Sequence, residues 1–158
     1  STHEGHDGKQ VTSQVLNIRR FDMPTEDVIE HLQLEPGTPV VYIKRLLLFD
    51  DKPLAVGRSW LSLARFPGLD ETGLGEKGLT ATLRSRYNTI IRRFNDAIEA
   101  VRPAPDERNL LDVSYDCPLL MVRGLSFDQH NVPVEYSTTY WLGDKVRFTV
   151  SMNTQEVE

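Results

Sequence analysis

The feature that most constrains the fold of this chain is a two-strand pattern that occurs twice. In each copy a proline starts an apolar strand, a Phe-Asp pair ends it, and a second strand follows a further proline and reaches a Trp-Leu pair. The landmarks are Pro39, Phe49-Asp50, Pro53 and Trp60-Leu61 in the first copy, and Pro118, Phe127-Asp128, Pro133 and Trp141-Leu142 in the second. Because a single hairpin buries its apolar face poorly, we expect both copies to share one sheet, with a ligand cleft where the two hairpins face each other.

Short helices and further strands accompany the hairpins. Thr25 and two following acids predict a helix that runs to about Leu32, and Pro105 opens a similar helix through Leu111. A third helix is indicated by helical spacing from Leu79 to Tyr87. The predicted strands are Val11 to Ile18, Pro39 to Phe49, Lys52 to Leu63, Ile90 to Val101, Leu119 to Phe127, Val134 to Leu142 and residues 146–150, and residues 64–77 are predicted to form a loop.

Composition excludes several classes of protein. The chain has 158 residues and a formal net charge of −5, so we expect one domain that is by itself a poor nucleic-acid binder. No apolar run approaches the ~18–20 residues that cross a bilayer, and no secretion signal is visible, so we expect a soluble, cytoplasmic protein with no membrane partner. Residues 1–10 are predicted to be a disordered arm or a residual interdomain linker, residues 11–153 the folded domain, and residues 154–158 a frayed end.

No catalytic or cofactor-binding signature occurs in the sequence. It lacks a glycine-rich phosphate loop, a nucleophile elbow, an HExxH motif and paired cysteines, so it implies neither a cofactor nor a metal. The single cysteine, Cys117, is interpreted as a packing residue, and His31 and His130 as surface residues. His3 and His6 could form a metal pair, but their polar surroundings favour two solvated side chains.

Arginines inside apolar strands are the strongest candidates for a binding site. Arg45 and the Arg92-Arg93 pair interrupt apolar strands, and Arg58 lies in the first hairpin. A guanidinium at the centre of a strand must be paired or face a polar cavity, and it suits a carboxylate or phosphate through bidentate hydrogen bonds. The alternative is an arginine that faces solvent or pairs with Glu99 or Glu135.

The second hairpin adds a carboxylate and an aromatic side chain. Alternation along the strand places Glu135 on the same side as Ser137, Thr139 and Trp141. A carboxylate there could hold an amine or hydroxyl group of a ligand, or could neutralise an arginine. Trp141 and Trp60 occupy nearly matching positions in the repeat and are interpreted as core residues, with an aromatic wall for the cleft as the alternative.

Short motifs occur in a fixed order over residues 15–152. They are Leu34-Glu-Pro-Gly-Thr-Pro-Val, Lys44-Arg45-Leu46, Asp51-Lys52-Pro53-Leu54-Ala55, Phe66-Pro67-Gly68-Leu69, Ile98-Glu99-Ala100, Pro118-Leu-Leu, Pro133-Val-Glu-Tyr-Ser and Gly143-Asp144-Lys145-Val146-Arg147-Phe148. In this order the series resembles the UTRA domain, the effector-binding domain of the HutC subfamily of GntR-type bacterial transcription regulators. The resemblance implies an α+β fold similar to chorismate lyase, in which helices pack on an antiparallel sheet. It also implies that residues 11–153 form a ligand-sensing domain, that the domain forms homodimers, and that a winged helix-turn-helix domain outside this chain contacts DNA.

The resemblance also bears on the ligand. Relatives that sense amino-sugar phosphates carry an Arg-x-Arg pair in the first hairpin and a Glu ten residues later. Here Arg45 keeps the first position, while Leu47 and Gly57 occupy the other two, and Glu135 and the aromatic position at Trp141 are retained. The helix start at Leu79-Thr80 and the Arg92-Arg93 pair are closer to regulators of phosphonate- or phosphate-linked operons.

The helix start suits an anion on physical grounds. Thr80 and Thr82 lie at a helix N-terminus, where free backbone N–H groups and the helix dipole favour negative charge. The expected effector is therefore a small phosphorylated, phosphonate or carboxylate metabolite. The candidate effector-binding residues are Arg45, Arg58, Thr80, Thr82, Arg92, Arg93, Glu135, Ser137 and Trp141.

Two other functions remain open at the level of sequence. One is an enzyme that acts on a small carboxylic acid in a lyase-like cleft, for which Glu135 is the candidate acid. The other is a dimerisation module that binds no ligand because its own side chains fill the cleft. The missing catalytic set favours a sensor over an enzyme.

Overall fold

Six antiparallel strands form one sheet in the order β1-β2-β3-β6-β5-β4. The computed structural model describes residues 11–155. The strands are β1 (Val11–Phe21), β2 (Val40–Phe49), β3 (Lys52–Ser62), β4 (Ile91–Val101), β5 (Leu119–Asp128) and β6 (Pro133–Leu142), and the helices are α1 (Glu26–Leu32), α2 (Leu69–Thr72), α3 (Leu79–Tyr87) and α4 (Pro105–Leu111). The predicted α+β fold class is confirmed.

The strand order confirms that the two copies of the repeat share one sheet. Each half of the chain has the order strand, helix, hairpin: β1-α1-β2-β3 in the first half and β4-α4-β5-β6 in the second. The halves meet where β3 pairs with β6, with Arg58 opposite Thr138. The hairpins therefore lie side by side, and the prediction of a cleft between hairpins that face each other is wrong. A ligand site on this sheet must lie on one of its faces.

The tryptophans of the two hairpins lie on opposite faces of the sheet. Directly paired residues of antiparallel strands share a face. Trp60 pairs with Tyr136, whereas Trp141 pairs with Ala55, and Tyr136 and Trp141 are five residues apart on β6. An odd separation along a strand reverses the face. Trp60 and Trp141 nearly match in the sequence repeat, but their positions along the paired strands differ by one residue, so the two side chains lie on opposite faces.

The helices divide between the two faces. On one face, here called the α1/α4 face, α1 packs near Tyr136 and α4 packs near Val56. On the other face, here called the α3 face, Leu79 and Leu83 of α3 cover Ile43 and neighbouring apolar residues at one end of the sheet. At the other end of the α3 face, Ala55 and Trp141 form a separate apolar cluster. The middle of the α3 face is left to polar side chains.

Two predicted elements are wrong. Residues 146–150 form no strand. They follow β6, which already pairs with β3 on one side and β5 on the other, so no unpaired strand edge lies beside them. Phe148 instead packs edge-on against Trp141, with ring centroids 5.9 Å apart. Within the predicted loop at residues 64–77, α2 forms one short turn of helix, with Leu69 buried in the core.

Ion pairs fasten α4 to the α1/α4 face. Arg58 of β3 donates to Glu107 at 2.7 Å and to Asp106 at 2.6 Å, and Lys44 of β2 donates to Asp106 at 2.6 Å. The hydrogen bond and charge of Lys44, together with Arg58, lower the pKa of Asp106 despite some burial. Because Glu107 is only 4% exposed, its charge depends on Arg58 for compensation.

Replacing Arg58 should therefore destabilise the fold. We expect Arg58→Met to lower the free energy of unfolding by about 3–5 kcal/mol, because it leaves a buried carboxylate without its partner. Chemical denaturation measures this change. Adding Glu107→Gln should restore much of the loss, while Arg84→Met, on the exposed side of α3, should have little effect. Equal stability of Arg58→Met and the wild type would contradict this role.

Asp128 organises the turn between β5 and β6. Its carboxylate accepts hydrogen bonds from the backbone N–H groups of His130 at 2.8 Å and Val132 at 2.9 Å, and it pairs with Arg65. Burial opposes ionisation, but these hydrogen bonds and the Arg65 charge outweigh it and lower the pKa of Asp128. The ionised form is therefore more stable in the folded state than in the unfolded chain.

The pH dependence of stability should report this interaction. An unfolded Asp titrates near pH ~3.9, so the contribution of Asp128 is complete above that pH and is lost as the pH falls towards the lower folded pKa. We expect Asp128→Asn to lower the free energy of unfolding by about 2–3 kcal/mol at neutral pH and by progressively less in acid. Denaturation at a series of pH values, with the exposed Asp144→Asn variant as control, tests this. An equal loss at every pH would contradict it.

Candidate functional site

A cluster of polar side chains occupies the middle of the α3 face, between its two apolar ends. The strand register places Arg45 opposite Gly57, Ser59 opposite Ser137, and Ser126 opposite Glu135. We refer to Arg45, Ser59, Ser126, Glu135 and Ser137 as the central polar cluster. It draws on four adjacent strands, β2, β3, β6 and β5, and so on both halves of the chain.

Arg45 has hydrogen-bonding capacity that the protein does not use. Its side chain is only 15% exposed, and its Nη2 lies 3.9 Å from Oε2 of Glu135. That separation exceeds the ~2.7–2.9 Å of a charge-assisted hydrogen bond. Its Nε is buried and has no hydrogen-bond partner among the described residues. A buried donor without an acceptor is unfavourable, so the guanidinium is suited to an acceptor supplied from outside the chain.

Glu135 is held by hydroxyl groups. Its Oε2 accepts a hydrogen bond from Ser59 at 2.5 Å, and its Oε1 accepts one from Ser126 at 3.4 Å. Both serines are almost fully buried. These contacts fix the carboxylate beside Arg45 and leave the guanidinium only loosely paired. The predicted alternative in which an arginine pairs with Glu135 is thus partly realised.

A second carboxylate approaches the cluster from the edge strand β4. Asp96 pairs with Gly124 of β5, and its side chain lies over that glycine. A Cβ atom at position 124 would collide with Oδ1 of Asp96 and with the backbone of Asn95. Burial, and after it the negative charge of Glu135, raise the pKa of Asp96. The Asp96 carboxylate therefore lies over β5, on the same face of the sheet as Glu135.

The prediction that Glu135 shares a side with Ser137, Thr139 and Trp141 is confirmed by the register. Ser137 lies within the central polar cluster. Trp141 belongs to the neighbouring apolar cluster, where it is 8% exposed. Its interpretation as a core residue is confirmed, and it borders the polar cluster on the side of Thr139.

The other predicted arginines are not brought to the cluster. Arg58 lies on the opposite face, since it pairs with Lys44 while Arg45 pairs with Gly57. Arg93 donates to Oδ1 of Asn131 at 2.9 and 3.1 Å and lies over the ring of Phe127 at the β5–β6 turn. Arg92 is exposed next to an irregularity in the β4–β5 register. Three of the four guanidinium groups predicted for the site therefore lie elsewhere.

The threonines of α3 also serve local structure. Oγ1 of Thr82 donates to the carbonyl oxygen of Gly78 at 2.7 Å and accepts from the N–H of Gly75 at 2.9 Å, and Thr82 is 3% exposed. Its hydroxyl group is therefore used within the loop that leads into the helix. Thr80 is exposed on the first turn of α3.

Sequence reasoning missed Asp96, Ser59 and Ser126. The small residues Gly124 and Ser126 lie two positions apart on the same face of β5. Ser59 and Ser137 are paired where β3 of the first half meets β6 of the second. A search for small and polar residues along one face of the predicted strands would have found the serines. Asp96 could not be found in this way, because its contribution depends on which strand lies beside β5.

Other candidate chemistry is limited in the described part of the chain. Residues 11–155 contain no group of three or more His, Cys, Asp and Glu side chains that could hold a metal ion. His3 and His6 lie outside the described residues. Cys117 packs against the apolar cluster beneath α4, as predicted. His31 stacks on Tyr136 with ring centroids 4.2 Å apart.

No helix among residues 11–155 has the length and apolar character needed to cross a membrane.

Comparison with known proteins assigns the chain to a family. The family model of the UTRA domain matches residues 6–147. The chain is 30% identical over 135 residues to the HTH-type transcriptional repressor PhnF of Mycolicibacterium smegmatis, a match that covers 85% of this chain and 55% of that protein. It is 26% identical over 140 residues to the HTH-type transcriptional regulator GmuR of Bacillus subtilis, covering 87% of this chain and 57% of the regulator.

A solved structure agrees with these matches. The crystal structure of the effector domain of PhnF from Mycobacterium smegmatis superposes with a TM-score of 0.85 at 27% identity, covering 93% of this chain and 90% of the crystallised domain. The chain spans little more than half the length of the curated relatives that it matches. On the evidence of its sequence and its fold, the chain belongs to the UTRA domain family, the effector-binding domains of GntR-family transcriptional regulators.

Proposed function

We propose that this domain senses a small metabolite with an anionic group, which binds at the central polar cluster and changes the DNA affinity of a homodimeric regulator. The observation that carries the proposal is the buried Nε of Arg45, which has no hydrogen-bond partner among the described residues. A phosphate, phosphonate or carboxylate oxygen would supply the missing acceptor. The DNA contact itself is assigned to a winged helix-turn-helix domain outside this chain.

One guanidinium and several hydroxyl groups make up the proposed anion site. Ser137 lies in the cluster, and Thr139 is separated from Arg45 only by Gly57. Both hydroxyl groups can donate to an anion that Arg45 neutralises. Because Arg58 and Arg93 are engaged in other contacts, the site carries less positive charge than the sequence predicts. This favours a small ligand with a single anionic group.

Binding can regulate DNA affinity only if the two states of the regulator differ in their affinity for the ligand. The cluster is well placed for this, because it takes side chains from both halves of the chain and lies beside the seam between β3 and β6. A ligand that draws Arg45 away from Glu135 would alter contacts across that seam. Such a change can be transmitted through the sheet to the strand edges.

A sensor accounts for this geometry better than an enzyme does. Glu135 accepts hydrogen bonds from two serine hydroxyl groups and lies beside Arg45, and none of the five side chains of the cluster is a histidine, cysteine or lysine that could act as its catalytic partner. The matched relatives are named as transcriptional regulators. These observations support a domain that binds its ligand without converting it.

Removing the Arg45 charge should strongly weaken anion binding. We expect at least one of inorganic phosphate, methylphosphonate, gluconate and glucosamine 6-phosphate, at millimolar concentration, to raise the melting temperature of the domain by about 2 °C or more. Arg45→Met should weaken binding of that compound about 10–100-fold, which corresponds to the loss of a charged hydrogen bond. Arg92→Met, which removes an exposed arginine, is the matched control. An unchanged affinity in Arg45→Met would contradict the proposed site.

The edge strand β4 supports the proposed homodimer. It is 11 residues long, it is the last strand of the sheet, and it exposes Phe94 and Ile98 on the α3 face. A long apolar edge can pair with another strand. Antiparallel pairing of two β4 strands centred on Asp96 would place Phe94 opposite Ile98, and Arg93 opposite Glu99. This register joins apolar with apolar and basic with acidic side chains, and these contacts offset the repulsion between the two Asp96 carboxylates that face each other at its centre.

Substitutions on β4 should therefore dissociate the dimer. We expect the wild-type chain to show twice its mass of 18.0 kDa in light scattering, and Phe94→Glu to behave as a monomer because it buries a charge in an apolar contact. Glu99→Arg should weaken the dimer and Arg93→Glu with Glu99→Arg should restore it. Val150→Glu, at an exposed position outside the sheet, should leave the mass unchanged. A dimer that persists in Phe94→Glu would exclude this interface.

A further inference from the structure

The arrangement of charges in the central polar cluster carries information about the ligand beyond its anionic group. Arg45 reaches the cluster from β2, while Asp96 reaches it from β4 on the far side, and Glu135 on β6 lies between them. Adjacent strands are about 4.8 Å apart, so β4 and β6 are separated by about 10 Å. The side chain of Asp96 crosses much of this distance by lying over Gly124.

Gly124 makes this approach possible. Any side chain at position 124 would occupy the space of the Asp96 carboxylate and collide with the backbone of Asn95. Glycine is unfavourable inside a strand by roughly 0.5–1 kcal/mol relative to alanine, and here it lets the Asp96 carboxylate lie over β5, on the face that carries Glu135. No arginine, lysine or histidine among residues 11–155 forms an ion pair with Asp96, whereas Glu135 has only the contact of 3.9 Å with Arg45.

The central polar cluster and the neighbouring Asp96 thus present one cationic side chain and two carboxylates. An anion without a compensating positive group would gain from Arg45 but would be repelled by Asp96 and Glu135. A positively charged group near the two carboxylates would relieve their mutual repulsion and pair with both. Mixed charge of this kind matches a ligand that carries both signs.

We infer that the effector is a zwitterion, whose anionic group binds Arg45 and whose ammonium group binds between Asp96 and Glu135. Asp96 is then a specificity-determining residue for the amine. Because Glu135 lies 3.9 Å from Arg45, the two charged groups of the ligand are separated by only a few bonds. Short amino acids, aminoalkyl phosphates and aminoalkylphosphonates have this form. The inference rests on the proposed function and adds a second recognition element to the same site.

Pairs of compounds that differ only in the amine test this inference. The probes are O-phosphoethanolamine and ethyl phosphate, 2-aminoethylphosphonate and ethylphosphonate, and β-alanine and propionate, with affinities measured by titration calorimetry. In at least one pair we expect the amine to increase affinity about 10-fold or more. Asp96→Asn should reduce that ratio to less than about 3-fold without weakening the compound that lacks the amine.

Glu30→Gln is the matched control, because it removes one exposed carboxylate from α1 on the other side of the sheet and should leave the ratio unchanged. Light scattering on Asp96→Asn shows whether the variant still forms a dimer, so that loss of the amine site can be told apart from loss of the dimer. Equal binding of both members of every pair, abolished by Arg45→Met, would overturn the zwitterion and leave the proposed function standing. An undiminished amine preference in Asp96→Asn would overturn the role of Asp96. If none of the six probes binds, the zwitterion is overturned. The proposed function is then decided separately, by the anions named for the Arg45→Met experiment.

Discussion

The pairing of β3 with β6 is the interaction on which the rest of the structure depends. It joins two similar halves into one six-stranded sheet, and it brings Arg45 of the first half to within 3.9 Å of Glu135 of the second. Separate halves would each leave a hairpin strand with an unpaired edge, and neither half would contain both charges. The seam that completes the sheet therefore also assembles the candidate site, and a ligand in this position contacts the halves together.

The charges of the two faces are used in different ways. On the α1/α4 face, Arg58 and Lys44 meet Asp106 and Glu107 at hydrogen-bonding distances, and these ion pairs fasten a helix. On the α3 face, Arg45 keeps a longer distance to Glu135 and a buried donor without an acceptor. Satisfied pairs stabilise the fold, whereas an incompletely satisfied group in the middle of a sheet lowers stability unless something else binds it. This contrast distinguishes an arginine whose donors are used within the fold from one that keeps an unused donor, although the two residues lie on adjacent strands.

Much of the fold follows from local patterns, while the site depends on contacts that those patterns do not contain. The repeat and the alternation along each strand were enough to predict the hairpins, the helix capped by Thr25 and the shared sheet. Arg45 and Glu135 were identified because a charge in an apolar strand needs a partner. The same argument also selected Arg58, since sequence alone does not say which face of the sheet α4 covers. The strand predicted at residues 146–150 failed for a related reason, because its alternation was genuine but no neighbouring strand was free.

The similarity of the two halves shows why the middle of the α3 face carries opposite charges on its two sides. In the first half, Arg45 lies between Val15 of β1 and Gly57 of β3. The equivalent position in the second half is Gly124, which lies between Asp96 of β4 and Ser137 of β6. One copy thus carries a guanidinium where the other has no side chain, and the space left by that glycine is filled by a carboxylate from the edge strand. An arginine at both positions would give the α3 face two cations and would suit a dianion. The difference at this single pair of positions gives the two halves of the sheet opposite charges, which is the arrangement that the proposed short zwitterion requires.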